Sequence, residues 1–166
     1  MKYIDVRNQI KSGDILAWSH GGWSSWYDIQ VSIVRMFTQS EYSHVGIAWV
    51  IGGRVFIIEA VGSGVRIFPL SREIPFYWIP QGEADYWNDA VEEHMLSRIG
   101  DKYSKWDAIL AFFGKLNIGS NNSWQCAELT IDYMKFVGML VIDIDATPSA
   151  VVNYLLDSGY NIHKVI

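Results

Sequence analysis

Cysteine is almost absent from the sequence: Cys126 is the only one among 166 residues. A single thiol cannot close an intramolecular disulfide, which excludes the class of small secreted proteins that disulfides hold together. No cluster of lysine and arginine occurs, and the net charge of −5 leaves no surplus of positive charge for binding phosphates. We therefore expect neither disulfides nor a nucleic-acid partner.

Long apolar runs are also missing. No stretch approaches the roughly 18 apolar residues of a membrane-spanning helix. The first residues, MKYIDVRNQIKSGD, lack the continuous apolar segment of a signal peptide. We expect a protein that is cytoplasmic as synthesised and has no transmembrane segment. Delivery by a phage or a lysis system is an alternative, and the oligomeric state is left open.

Metal-binding patterns are lacking as well. The four histidines are scattered, and no spacing such as HxxxH or CxxC occurs. We therefore expect no metal ion and no cofactor.

The apolar content is 50%, which is enough for the core of a single domain, and no linker or repeat divides the chain. Strand-like and helical segments are grouped rather than strictly alternating, which predicts an α+β fold with a mainly antiparallel sheet. We expect strands at 14–18, 44–50, 54–60, 63–70, 76–80 and 160–166. We expect helices at 3–10, 29–37, 83–100, 105–113 and 123–137, and one that begins after Thr147.

Cys126 lies near the start of a predicted helix, in the stretch SNNSWQCAELTIDYMKFVG. Ser123 is a typical N-cap residue, which would make Cys126 the third residue of that helix. Unpaired backbone N–H groups and the positive end of the helix dipole favour a thiolate there. Cys126 is therefore a candidate nucleophile, and a small buried core residue is the alternative interpretation.

A nucleophilic thiol usually works with a histidine base. The sequence offers four histidines: His20, His44, His94 and His163. His44 is favoured because it opens a predicted hairpin whose second strand carries a carboxylate.

That hairpin turns at Gly52-Gly53, between two β-rich runs. If residues 51 and 54 pair, Glu59 becomes a diagonal neighbour of His44 on one face of the sheet. A carboxylate inside the apolar run VFIIEAV needs a partner, and an imidazole suits it. A shift of one residue in register would instead turn Glu59 to the opposite face, as a solvent-exposed residue.

Four stretches in this order, SGDILAW, YSHVGIAWV, IIEA and SWQCAELT, resemble the circularly permuted NlpC-type cysteine hydrolases, in particular their YiiX-like branch. Lecithin–retinol acyltransferase is a more distant relative. The matching positions are Gly13-Asp14, Ser43-His44, Glu59 and Cys126. The resemblance implies a permuted papain-like fold, in which the histidine precedes the cysteine and an antiparallel sheet packs against the cysteine-bearing helix.

The resemblance covers roughly residues 12–137, and no family residue matches within 71–121. We therefore expect a single domain, 1–166, with a lid or insertion at about 71–121.

The resemblance also implies a Cys-His-Glu catalytic triad, with Cys126 as the nucleophile, His44 as the base and Glu59 as the orienting acid. The implied activity is that of a cysteine hydrolase that forms a thioester acyl-enzyme. Its substrate would be a peptide or acyl compound, with the amide bonds of peptidoglycan stem peptides as the leading expectation. A lipid thioesterase or acyltransferase, or a binding module without turnover, are the alternatives.

Other residues are candidates for contacts with the substrate. The backbone N–H of Cys126 is the first expected oxyanion donor, and Tyr42 is a candidate for the second. Gln125 is disfavoured as a donor, because its side chain should point away if Cys126 points inward. Asp14 is expected to order the turn before the first strand rather than to take part in chemistry. Candidates for the walls of the cleft are Trp23, Trp26, Tyr27 and Trp124.

Overall fold

The computed structural model describes residues 1–19, 41–82, 86–103, 123–140 and 142–166. Numbered in chain order, its elements are α1 (Tyr3–Val6), β1 (Ile15–Trp18), β2 (His44–Ile51), β3 (Arg54–Val61), β4 (Gly64–Pro69), β5 (Phe76–Ile79), α2 (Asp89–Leu96), β6 (Lys102–Tyr103), β7 (Ser123–Trp124), α3 (Cys126–Phe136), α4 (Pro148–Asp157) and β8 (His163–Val165). The predicted helices at 29–37 and 105–113 lie outside the described residues. Within the described ranges, no helix is both long and apolar enough to cross a bilayer.

Six strands form one sheet in the order β4-β3-β2-β1-β5-β8, and all neighbours in it are antiparallel. The short strands β6 and β7 form a separate parallel pair. This arrangement confirms the predicted α+β fold with an antiparallel sheet. The strand β5 belongs to the range 71–121 and is an inner strand of the sheet. A lid or insertion therefore stays a prediction for the remainder of that range.

The β2–β3 hairpin has the predicted register. Gly52 and Gly53 both adopt positive φ angles, 57° and 71°, which suits the tight turns that match the twist of a hairpin. Ile51 pairs with Arg54, and the ladder continues back through the two strands. The turn therefore fixes which residues of the two strands share a face.

Each face of the sheet packs against its own apolar cluster. On the face that we call the helix face, residues of the sheet pack with α3 and α4. On the opposite face they pack with residues of the N-terminal segment, such as Val6 and Ile10. The central strand β1 is buried throughout and contributes to both clusters. The helix that carries Cys126 is thus fixed against the sheet by its apolar stripe.

Polar caps set where the outer helices begin. The Asn88 side chain accepts a hydrogen bond from the N–H of Val91, so α2 begins later than the predicted range 83–100. Thr147 caps α4, whose first residue is Pro148, as predicted.

Candidate active site

A row of side chains crosses the four neighbouring strands β1 to β4 at one end of the sheet. Trp18 on β1 lies directly opposite His44 on β2, and Glu59 on β3 lies directly opposite Arg66 on β4. His44 and Glu59 are the diagonal neighbours that the predicted register requires. Their Nε2 and Oε2 atoms are 2.6 Å apart, within hydrogen-bonding distance.

Glu59 is a buried carboxylate, and both of its oxygens have partners. Only 3% of its side chain is exposed. While Oε2 bonds His44, Oε1 accepts a hydrogen bond from Nε of Arg66 at 2.8 Å and lies 2.6 Å from its Nη2. Burial raises the pKa of Glu59, but His44 and Arg66 together lower it further, so the net pKa lies below the usual value of 4.5. Glu59 is therefore ionised at neutral pH, and Nε2 of His44 donates to it.

Cys126 begins α3, which corrects the prediction that Ser123 caps this helix. Ser123 lies in β7 and pairs with β6, so it cannot also serve as the N-cap. Gln125 is the N-cap, and it forms a capping box with Glu128, whose Oε2 accepts the Gln125 N–H at 2.9 Å. Cys126 is therefore the first helical residue, where the backbone N–H has no acceptor within the helix.

The thiol of Cys126 lies beside the ring of His44, where it is one of the groups that raise the pKa of that ring. Because Nε2 is bonded to Glu59, Nδ1 is the ring nitrogen left for the sulfur. Burial lowers the pKa of His44, but the hydrogen bonds to Cys126 and Glu59 and the charges of both groups raise it to about 10. The imidazolium form of His44 is therefore favoured between a thiol and a carboxylate.

Trp18 covers one side of the imidazole. The centroids of the two rings are 5.4 Å apart, and the rings are inclined at 50°. The indole Nε1 donates a hydrogen bond to the backbone oxygen of Glu73 at 2.6 Å, which fixes the orientation of the indole. With this cover, 13% of the His44 side chain is exposed.

Gln125, the residue before Cys126, has a buried side-chain amide. The residue is only 8% exposed. Its Nε2 atom has no hydrogen-bond partner among the described residues. Buried amide groups are nearly always paired, and an unpaired one carries a free-energy cost, so this position calls for an explanation. The N-cap position of Gln125 was not predicted; there its side chain accepts a hydrogen bond from the N–H of Glu128 in the first turn of α3.

Arg66 is absent from the predicted site residues, although the sequence carries a signal for it. Two residues, Gly62 and Ser63, separate β3 from β4, and Val61 pairs with Gly64. Counting back from this turn places Arg66 opposite Glu59, by the same arithmetic that relates Glu59 to His44.

Asp14 orders the chain before β1, as predicted. Its Oδ2 accepts hydrogen bonds from the N–H of Lys11 at 2.9 Å and from Nε1 of Trp78 at 2.7 Å, and its Oδ1 accepts one from the N–H of Gln81 at 2.9 Å. These bonds join the start of β1 to the end of β5.

Tyr42 lies in the core on the helix face, two residues before His44. Its ring packs edge-on against Tyr77, with 5.4 Å between centroids. Its backbone N–H donates to Oγ of Ser149 at 3.2 Å. The role of Tyr42 as an oxyanion donor stays a prediction.

The remaining predicted residues lie elsewhere or outside the described part of the chain. The structure describes the backbone of Trp124, in β7, but not its side chain. His163 lies in β8, where its ring packs against Trp78 at 5.6 Å. Those outside the described residues are His20, Trp23, Trp26 and Tyr27.

Comparison with known proteins yields a similarity in fold. No family model matches the sequence, and no curated protein matches it. The structure is similar to the crystal structure of the metalloprotein YiiX from Escherichia coli O157:H7, with a TM-score of 0.57 and 18% sequence identity, over 80% of this chain and 68% of YiiX. The described residues of this chain contain no group of three or more His, Cys, Asp and Glu residues that could hold a metal ion. The chain thus has a YiiX-like α+β fold.

Proposed function

We propose that this protein is a cysteine hydrolase of the circularly permuted papain-like type, with Cys126 as the nucleophile, His44 as the base and Glu59 as the orienting acid. The observation that carries the proposal is the hydrogen bond between His44 and a buried carboxylate, with Cys126 beside the same ring. The order of histidine before cysteine supports the permuted topology, as does the α3 helix packed on an antiparallel sheet.

The reaction proceeds by acyl transfer through a thioester. In the resting pair His44 holds the proton of Cys126 as an imidazolium, and the thiolate attacks the carbonyl carbon of the substrate. The tetrahedral intermediate collapses when the imidazolium protonates the leaving amine, which breaks the carbon–nitrogen bond. A water molecule then gives its proton to His44 and attacks the thioester, and release of the acid restores the thiolate beside the imidazolium.

Acylation also changes His44. In the resting site, Cys126 is one of the groups that raise the pKa of the ring. Once the sulfur is part of a neutral thioester, that contribution is lost, so the pKa of His44 falls. The fall favours release of the proton to the leaving group and leaves a neutral ring that can activate water.

Two donors near the first turn of α3 can stabilise the oxyanion. The N–H of Cys126 lies at the first helical position, where it has no acceptor within the helix. Gln125 supplies the second donor, because its Nε2 is buried and lacks a partner among the described residues. A substrate oxygen would complete the hydrogen bonding of this amide.

The proposed substrate is an amide bond of the kind found in peptidoglycan stem peptides, which follows from the sequence resemblance. The test is incubation of the protein with purified muropeptides and, separately, with a long-chain acyl thioester, with the products read by mass spectrometry. We expect cleavage of muropeptides and an acyl adduct on the wild-type protein, and neither with Cys126→Ala. Hydrolysis of the thioester alone would favour the lipid enzyme, and binding without turnover would overturn the proposal in favour of a binding module.

A further inference from the structure

We propose that Arg66 is a positioning residue for the acyl-transfer reaction, because it fixes the carboxylate of Glu59 in the orientation that holds His44. This inference rests on the proposed function for its catalytic meaning. Arg66 is argued to act through Glu59 and His44, without contact with the substrate.

The geometry at Glu59 shows how Arg66 would do this. Nε of Arg66 donates to Oε1 at 2.8 Å, and Nη2 lies 2.6 Å from the same oxygen. Both nitrogens therefore engage Oε1 and leave Oε2 for Nε2 of His44, which is 2.6 Å away. A carboxylate held in this way cannot rotate about its terminal torsion without breaking charge-assisted hydrogen bonds.

The guanidinium is itself held in place from two sides. Its central carbon lies 4.3 Å from the centroid of the Phe68 ring, in a cation–π contact. Its Nη2 lies 3.4 Å from Oε1 of Glu73, which provides a second carboxylate partner. These contacts explain why an arginine suits the position. A guanidinium is planar and donates from several nitrogens, whereas a lysine ammonium is a compact point charge.

The contacts form a closed ring that includes the imidazole of His44. Glu73 accepts a hydrogen bond from Arg66 on its side chain and one from Trp18 on its backbone oxygen. Trp18 in turn packs against the ring of His44, which bonds Glu59. We name this set the clamp: Trp18, His44, Glu59, Arg66 and Glu73. Arg66 is the member that joins its two carboxylates.

A simpler interpretation is that Arg66 forms a surface ion pair that affects only stability. Its side chain is 37% exposed, and exposed pairs contribute little to the free energy of unfolding. The partner, however, is almost fully buried, and Arg66 is one of the groups that lower the pKa of Glu59. The charged groups that face Glu59 are His44 on β2, Arg66 on β4 and Glu73 beyond β4.

The test compares Arg66→Met and Arg66→Lys with the control Arg54→Met, which removes an exposed arginine at the tip of the β2–β3 hairpin. The first readout is the titration of the Glu59 side chain, which is monitored by carbon NMR and needs no turnover. The second is the dependence of kcat and KM on pH. Thermal unfolding identifies any variant that fails to fold.

We expect Arg66→Met to move the titration of Glu59 to higher pH, together with the acid limb of the pH profile of kcat. The same change should lower kcat about tenfold and leave KM unchanged. Arg66→Lys should restore the acid limb but only part of kcat, and Arg54→Met should change neither. A folded Arg66→Met protein with an unchanged Glu59 titration and unchanged kcat would overturn the inference. If the wild type hydrolyses nothing while the Glu59 titration still moves, the proposed function fails and the link from Arg66 to Glu59 stands.

Discussion

His94 and Asp132 form a second histidine–carboxylate pair, in which Nε2 and Oδ2 are 2.7 Å apart. The pair joins α2 to α3, and the ring of His94 stacks on Phe136 with 4.0 Å between centroids. Its geometry is close to that of His44 and Glu59, but Cys126 lies beside the ring of His44 and not beside that of His94 among the described contacts. Among the described residues, one histidine–carboxylate pair thus lies beside a thiol, and a second lies against an aromatic ring.

The first prediction uses the similarity between the His44–Glu59 pair and the His94–Asp132 pair. Alkylation of Cys126 by iodoacetamide at pH 6 should be faster than alkylation of free cysteine, because the His44 imidazolium stabilises a thiolate. His44→Ala should remove the enhancement, and His94→Ala should retain it. The rate is measured by mass spectrometry of the intact protein over time. Equal rates for the wild type and His44→Ala would place Cys126 among ordinary buried thiols.

The second prediction concerns the dependence of stability on pH. The pKa of His44 is raised from 6.5 to about 10. The stabilisation that His44 adds to the free energy of unfolding is therefore fully present below about pH 6.5 and is lost as pH rises through about 10. The pKa of Glu59 is lowered from 4.5, so its contribution is present above about pH 4.5 and is lost as pH falls through the lower folded value. The pair should therefore stabilise the fold most fully between about pH 4.5 and 6.5.

Urea denaturation of the wild type and His44→Gln between pH 6.5 and 10 measures this effect. The difference in the free energy of unfolding should shrink across that range by more than about 1 kcal/mol, since each unit of pKa shift corresponds to about 1.4 kcal/mol. A difference that stays constant from pH 6.5 to 10 would show that the folded protein does not raise the pKa of His44.

The sequence predicts the sheet part of the site well because a two-glycine turn fixes a register. Once Ile51 faces Arg54, the positions of His44 and Glu59 follow from the alternation of a strand. The start of the cysteine-bearing helix is harder to predict. Ser123 has a strong local preference for an N-cap, but it pairs with the distant Lys102 segment, and such long-range pairing overrides local propensity.

The third prediction concerns Tyr133, whose hydroxyl is buried without a hydrogen-bond partner in the described structure. Tyr133→Phe should leave the free energy of unfolding unchanged or raise it by up to about 1 kcal/mol, because it removes an unpaired polar group. Tyr154→Phe is the matched control, since the Tyr154 hydroxyl donates to the backbone oxygen of Met139 at 2.9 Å. That change should cost about 1 kcal/mol. Chemical denaturation measures both, and a larger loss for Tyr133→Phe than for Tyr154→Phe contradicts the prediction.

The fourth prediction separates the two roles assigned to Gln125, which caps α3 and is proposed to donate to the oxyanion. Gln125→Ala should lower kcat for hydrolysis by about 10²- to 10³-fold, as the loss of one oxyanion donor does in other enzymes. Alkylation of Cys126 by iodoacetamide passes through no tetrahedral oxyanion, so its rate should stay within about twofold of wild type while the helix start is intact. Thr147→Ala, which removes the cap of α4, controls for a general loss of helix stability. If alkylation and hydrolysis fall together in Gln125→Ala, the residue acts through the position of Cys126, and the oxyanion assignment is wrong.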